Sequence, residues 1–493
     1  MRQRFVAVLV VSLVALAFAG IADAGRYVVL YKQQAVPADA ADQIARAGGR
    51  LLAAYDEIGV AVAESSEPRF ASAVGRDARV ESAVASADYG YRSDGAEASG
   101  PPPGDLPNEP ATDADTFSVL QWDMQRIQTP EAHAITGGSP AVLVGHIDTG
   151  IDASHPDLLA NIDFADSVSC VTGAPNQAPS AWDDDSGHGT HTAGTIAAAS
   201  NGIGIVGVAP KVRIAAIKAS VHVGASDFFF PEAVICGLMW AATHHMDVTN
   251  NSYNVDPFAF YCSNDPAQRA IRKAVQRAVR FALLEGVTVV ASAGNNNTDL
   301  AHPPLGNDCI RLPSELAGVI TVSATGLFDQ KASYSNYGVG VIDVAAPGGD
   351  LAQGPPPTGL ILSTWPARFQ VPRLLCDPSP APPIPPFPPP APCLPPSSAP
   401  PGTSYYRYMF GSSMAAAHVT GVAALVISRF GDAGTPQNGK LRPGQVEAII
   451  EQTADPLPCP PEPTTCEGGE GYNGWYGHGR VNALRAITHT SGA

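Results

Sequence analysis

Val142-Leu-Val-Gly-His-Ile-Asp148-Thr-Gly-Ile-Asp152 decides the fold. The run from Ala141 to Ile147 is continuously apolar rather than alternating, the mark of a strand covered on both faces. It stops at Asp148, and Gly150 begins a turn. Val212 to Ala219, Val287 to Ser292 and Val319 to Ser323 are further runs of this kind. Between them, Phe229 to His244 and Ala267 to Glu285 have helical length and periodicity. Doubly covered strands alternating with helices predict an α/β fold, a mostly parallel sheet flanked by helices. Ligands of such sheets bind beyond the carboxyl ends of the strands, so Asp148 falls on a functional edge.

Outward from this core the chain divides into segments. Residues 1–24 read as an export signal. Arg2 and Arg4 precede the uncharged run Phe5 to Ala19, and Ala22-Asp23-Ala24 offers a small-x-small cleavage site. The run is shorter than the ~20 apolar residues of a spanning helix. No later segment reads as membrane-spanning, so a soluble, secreted and monomeric mature chain is expected.

Residues 25–94 read as a small α+β unit. Tyr27 to Tyr31 is a strand, Asp39 to Ala47 a short helix, Gly48-Gly49 a turn, and Leu51 to Ala63 and Val80 to Val84 supply further strands. Residues 95–110, with Pro101-Pro-Pro-Gly104, read as an exposed linker. Residues 111–493 form the larger domain, interrupted by the proline-dense segment 354–402. Proline lacks an amide donor and fixes φ, so that segment reads as a surface insertion and not as a core strand or helix. Pro456 to Gly471 has the same character.

With 493 residues, 45% hydrophobic and 15% charged, the chain has the balance of a globular protein. A formal charge of −17 excludes the basic face that nucleic acid requires. All eight cysteines lie at or beyond Cys170. An even number in an exported chain favours disulfides. Cys376–Cys393 and Cys459–Cys466 close short proline-rich loops, leaving Cys262–Cys309 and Cys170–Cys236, with the connectivity open. Cys-x-x-Cys pairs typical of structural zinc are missing.

Three segments carry chemistry. Asp148-Thr-Gly alone also fits aspartic proteases, but those need two such aspartates and no second copy occurs. Asp185-Ser-Gly-His188-Gly-Thr-His191 sets an imidazole, able to take and return a proton near neutral pH, at the start of a small-residue helix. The Glu of a His-Glu-x-x-His zinc site is absent. Phe410-Gly-Ser412-Ser413-Met-Ala-Ala-Ala-His418 leads into a wholly apolar helix, with Ser413 at its start, where amide dipoles favour negative charge. A non-catalytic binding protein and a metallohydrolase using His188, His191, His244 and His245 are the rival readings.

His188 follows Asp148 by 40 residues and Ser413 follows His188 by 225. That Asp, His, Ser order is the one found in subtilisin. With Val206-Gly-Val-Ala-Pro210, Ser292-Ala-Gly-Asn295, Tyr334-Ser-Asn-Tyr-Gly338, Asp343-Val-Ala-Ala-Pro-Gly348 and Gly477-His-Gly-Arg-Val-Asn482, the chain resembles the subtilisin-like serine proteases over roughly residues 113–487. The resemblance implies a serine endopeptidase needing no catalytic cofactor. Ser413 would be its nucleophile, His188 its general base and acid, Asp148 the orienter of the imidazole and Asn295 an oxyanion donor. It implies substrate binding by Ser252, Tyr253 and Asn254, though Asn254 and Val255 stand where the family usually has glycine. Ala417 replaces a usual proline of the serine helix. It further implies a structural calcium at Asp157 and the loop Ala199-Ser-Asn201-Gly-Ile-Gly-Ile205. Residues 25–94 become an inhibitory propeptide, removed by self-processing. Proteins or peptides are the expected substrates.

Overall fold

The computed structural model describes residues 25–85, 104–353, 359–369, 375–377, 402–434, 439–461 and 465–489. The expected signal segment 1–24, linker residues 95–103 and Cys393 lie outside the described residues.

A seven-stranded sheet runs in the order Val344–Pro347, Val319–Thr325, Thr288–Ser292, Val248–Asn251, Leu143–Asp148, Arg213–Lys218 and Val168–Ser169. All its pairings are parallel. Leu143–Asp148 is buried at every position, the polar His146 and Asp148 included. Period-two alternation divides its side chains between two cores. Val142 and Val144 join one with the helices His188–Ala197, Ser412–Phe430 and Pro443–Thr453. Leu143 and Ile147 join the other with Pro231–Thr243 and Pro266–Leu284.

Pro266–Leu284 shows why these segments are helical. The Asp265 side chain accepts from the amides of Ala267 and Gln268, and proline opens the first turn. Ala270, Ile271, Ala274, Val275, Ala278, Val279 and Ala282 form the buried stripe. Gly286, at φ +91°, ends the run. Ser412–Phe430 differs, being apolar all round. By length and hydropathy it is apolar enough to cross a membrane, contrary to the expectation that no later segment would be, but 94% of it is buried inside the protein. It is a core helix.

Residues 25–85 fold as an antiparallel sheet in the order Arg50–Tyr55, Val60–Ser65, Gly25–Tyr31, Val80–Ala85, with helices Ala40–Arg46 and Phe70–Val74 on one face. Val28, Leu30, Ile58 and Val60 on the other face join the core of the Pro231–Thr243 and Pro266–Leu284 helices. Arg277 donates to the carbonyls of Tyr31 and Ile58 at 3.1 and 2.9 Å. Lys273 pairs with Glu81 at 2.6 Å, and Tyr55 donates to Gly173 O at 2.7 Å. The unit is docked, not tethered at a distance.

Two expectations need correction. Residues 104–110 are not a free linker: Asp105, Pro107, Glu109 and Pro110 are exposed, but the segment is pinned to the larger domain. Gly104 N donates to Arg429 O, Asn108 to Ser428 O, and Leu106 is buried in the main core. A Cβ on Gly104 would overlap Gly431, so only glycine allows this approach. Nor is 354–402 a surface insertion throughout. Ile361–Thr364 is a fully buried strand, antiparallel to Ser404–Met409. Its proline-free Leu360-Ile-Leu-Ser-Thr364 keeps every amide donor, and Ser363 and Thr364 donate to His191 O and Thr190 O at 2.6 and 2.7 Å. Disulfides join Cys170–Cys236, Cys262–Cys309 and Cys459–Cys466. Cys376 is also disulfide-bonded.

Candidate active site

Asp148 ends the Leu143–Asp148 strand and His188 opens the His188–Ala197 helix. The turns between them are tied by one threonine. Thr149 Oγ1 donates to Asp184 Oδ1 at 2.8 Å and accepts from Gly189 N at 2.7 Å. Asp184 is the hub of the histidine loop. Its carboxylate accepts from Thr149 Oγ1, Ser186 N, Gly187 N, Thr190 N and Thr190 Oγ1. Burial pushes this carboxyl above its usual range, and the hydrogen bonds from residues 186–190 pull the other way. Gly187, at φ +95°, lets the loop pass under the Trp365 ring, with which any Cβ would collide. Lys218 braces the same loops through Thr149 O, Asp183 O and Asp185.

This scaffold brings His188 Nδ1 to 2.5 Å from Asp148 Oδ1, with both side chains buried. Asp148 Oδ1 also accepts from Thr149 N at 2.8 Å. The opposite ring nitrogen, His188 Nε2, is buried without a hydrogen-bond partner, and so is Ser413 Oγ. Ser413 is the second residue of the Ser412–Phe430 helix, which packs against the histidine helix. Its carbonyl accepts from Ser252 Oγ at 3.1 Å, and Ser252 accepts in turn from Asn250 Nδ2 at 3.0 Å. Helical geometry continues through Ala417.

Asn295 lies beyond the Thr288–Ser292 strand. Its Oδ1 accepts from Ser412 N and Ser412 Oγ at 3.0 and 2.5 Å, which fixes the amide and turns Nδ2 the other way. A Cβ placed on Gly411 would lie 3.5 Å from Asn295 Nδ2 and 3.8 Å from Ser413 N. Asn295 Nδ2 and Ser413 N therefore lie near one point beside Gly411. An activatable hydroxyl, a carboxylate-held imidazole and paired donors are the parts of acyl transfer.

A family model described as the subtilase family matches residues 139–479. The chain belongs to the subtilase family. M-protease of Shouchella clausii is 31% identical over 379 residues, 76% of this chain and 72% of its own length. Thermitase of Thermoactinomyces vulgaris is 29% identical over 388 residues, 78% of this chain and 99% of its own. The crystal structure of the epidermin leader peptide processing serine protease of Staphylococcus aureus superposes with a TM-score of 0.66 at 19% identity, covering 96% of this chain and all of that one. That last likeness concerns fold. The protein is accordingly a serine endopeptidase that hydrolyses peptide bonds in proteins and needs no catalytic cofactor.

In this subtilase the segment Ser252-Tyr253-Asn254 lies wholly inside, with every side chain turned to the fold. Tyr253 stacks on Phe229 at 4.5 Å and donates to Asn251 Oδ1. Burial first, and then the Asp148 charge, pushes its phenol well above the usual range, so it stays a donor. Asn254 Nδ2 closes its own loop onto the carbonyls of Val255 and Phe258.

Asp157, expected to hold calcium, is buried against the loop 199–205 that carries Asn201. Asp157 Oδ2 accepts from Tyr406 Oη at 3.0 Å and Ile205 N at 3.1 Å, and Asn201 Oδ1 from Ile203 N at 3.0 Å. The Tyr406 ring, edge-on to Phe117 and His155, fills the loop with apolar surface. Among the described residues no group of three or more His, Cys, Asp or Glu is gathered for a metal. The histidines of the metallohydrolase reading are dispersed. His191 Nε2 donates to Arg407 O, while His244 stacks on Trp240 across the sheet.

Asp184, Thr192, Lys218 and His146 escaped the sequence reading. Asp184 sits in the run Asp183-Asp-Asp185, which looks like a solvated acidic face. Its five donors come from residues on both sides, and only the fold reveals them.

Proposed function

We propose that the subtilase is made as an exported zymogen that cuts proteins through Asp148, His188 and Ser413, with Asn295 in the oxyanion hole. The short Asp148–His188 bond, with the far ring nitrogen unpartnered, carries this reading. Asp148 holds the imidazole in the tautomer that bears its proton on Nδ1. His188 Nε2 takes the Ser413 hydroxyl proton as Oγ bonds to the scissile carbonyl carbon. The carbonyl oxygen becomes an oxyanion and accepts from Asn295 Nδ2 and Ser413 N. Collapse breaks the C–N bond, and His188 returns its proton to the leaving amine. Water, deprotonated by the same nitrogen, then releases the acyl group. The serine–histidine contact tightens when substrate excludes water.

The backbone of residues 252–254 pairs with the substrate, since their side chains are already engaged. Residues 25–94 act as an inhibitory propeptide. The docking of Val28, Leu30, Ile58 and Val60 on two helices of the larger domain supports this. The signal-like segment and the disulfides support secretion. The mature enzyme acts as a monomer.

Fluorophosphonate labelling tests the reading. The wild-type enzyme takes the label at Ser413, Ser413→Ala does not, and only the wild-type precursor loses residues 25–94. Labelling at another residue, or maturation of purified Ser413→Ala, would refute it.

A further inference from the structure

We infer that His146 is a positioning residue for Asp148, acting through Thr192 and the first turn of the histidine helix. The inference rests on the triad reading above. His146 and Asp148 are two apart on one strand and so project to the same face. His146 is fully buried there. Its Nε2 lies 2.9 Å from Gly189 O and 3.2 Å from Thr192 Oγ1. A carbonyl only accepts, so Nε2 carries the proton, and Nδ1 is buried with no partner. The ring is a neutral donor, and burial holds its pKa down to about 4, below the range in which a serine protease works.

Thr192 links this donor to the catalytic carboxylate. Its hydroxyl reaches Asp148 Oδ2 at 3.3 Å, but also His188 O at 3.1 Å and Gly189 O at 3.3 Å. A threonine in a helix ordinarily donates back to the carbonyl one turn earlier. The His146 N–H occupies Gly189 O and one lone pair of Thr192, which narrows the threonine proton's acceptors to His188 O and Asp148 Oδ2. With the threonine proton on Asp148, the carboxylate has donors on both oxygens, Thr149 N and His188 Nδ1 on one and Thr192 on the other. The same N–H ties the carbonyl after His188 to the sheet, so ring and carboxylate are set from one point. A valine or isoleucine would fill this volume and do neither.

The experiment uses His146→Leu, which removes the donor at similar size, His146→Gln, whose amide nitrogen reaches a comparable position, and Thr192→Val. Active enzyme is counted by fluorophosphonate titration, and kcat, KM, the pH profile and Tm are measured on a peptide amide. His146→Leu should lower kcat about tenfold with KM within about twofold, the scale of one lost hydrogen bond. The acid limb of its kcat/KM profile should move to higher pH, because an Asp148 with fewer donors holds imidazolium more strongly. His146→Gln should restore most of both. His146→Leu/Thr192→Val should be no worse than the poorer single variant. Unchanged kcat in His146→Leu, or equal loss in Leu and Gln variants with matched falls in Tm, overturns the inference. If His146→Leu does not fold, full kcat in Thr192→Val overturns it. Wild-type enzyme unlabelled at Ser413 would sink the triad reading instead.

Discussion

Asp148 and Asp157 are buried carboxylates nine residues apart in one stretch of chain, and the fold treats them oppositely. Asp148 faces an imidazole whose far nitrogen has no hydrogen-bond partner. Asp157 faces the Tyr406 phenol and the Ile205 amide, and a ring closes over it. Both carboxylates are stabilised by donors. One donor can pass its charge state on to a substrate, and the other donors cannot. A buried acid's role is thus set by whether its partner can take up and pass on a proton, more than by its own burial.

The comparison breaks if the two aspartates respond alike. Asp148→Asn should lower kcat by about 10⁴-fold while leaving the fold intact, because the imidazole loses the tautomer it needs. Asp157→Asn should leave kcat per titrated site near wild type and lower Tm. Asn295→Ala should cost about 10²–10³ in kcat with little change in KM, a magnitude taken from a subtilisin rather than from this geometry. Steady-state kinetics on one peptide amide checks all three.

Smaller effects sharpen the Asp157 side. Tyr406→Phe keeps the ring and deletes the donor, so stability in denaturant melts should fall by about 1–3 kcal/mol with kcat unchanged. If Tyr406 and the Ile205 amide alone hold this loop, strong chelator should leave the Tm of the mature enzyme unmoved. A chelator-dependent drop would show a cation holding that loop. On the Asp148 side, His146 titrates near 6.5 unfolded and at about 4 folded. The unfolded chain binds the extra proton, so this contribution to stability is complete above pH 6.5 and drains as pH falls toward 4. His146→Gln should flatten that part of the stability–pH curve.

Much of the scaffold was legible. The strand ending at Asp148 was apolar but for His146 because both its faces are covered, and the helices carried their caps and stripes in the sequence. Val248–Asn251 was not read as a strand. Its Thr249, Asn250 and Asn251 look like loop residues until their partners appear, among them Thr420, Ser252 and Val290 O. Ile361–Thr364 was hidden by the prolines around it. Asn295 was singled out by its place after a strand, whereas the orientation of its amide depends on Ser412, 117 residues away.

What the sequence alone determined was whatever lies within a few residues. This includes strand and helix periods, the α/β class, and the order and neighbours of Asp148, His188 and Ser413. The tertiary structure decided what each group touches. Asp157 meets Tyr406 across 249 residues, and residues 104–110 dock on the end of the serine helix. Periodicity is a property of neighbours along the chain, but a carboxylate's charge, donors and access are set by neighbours in space.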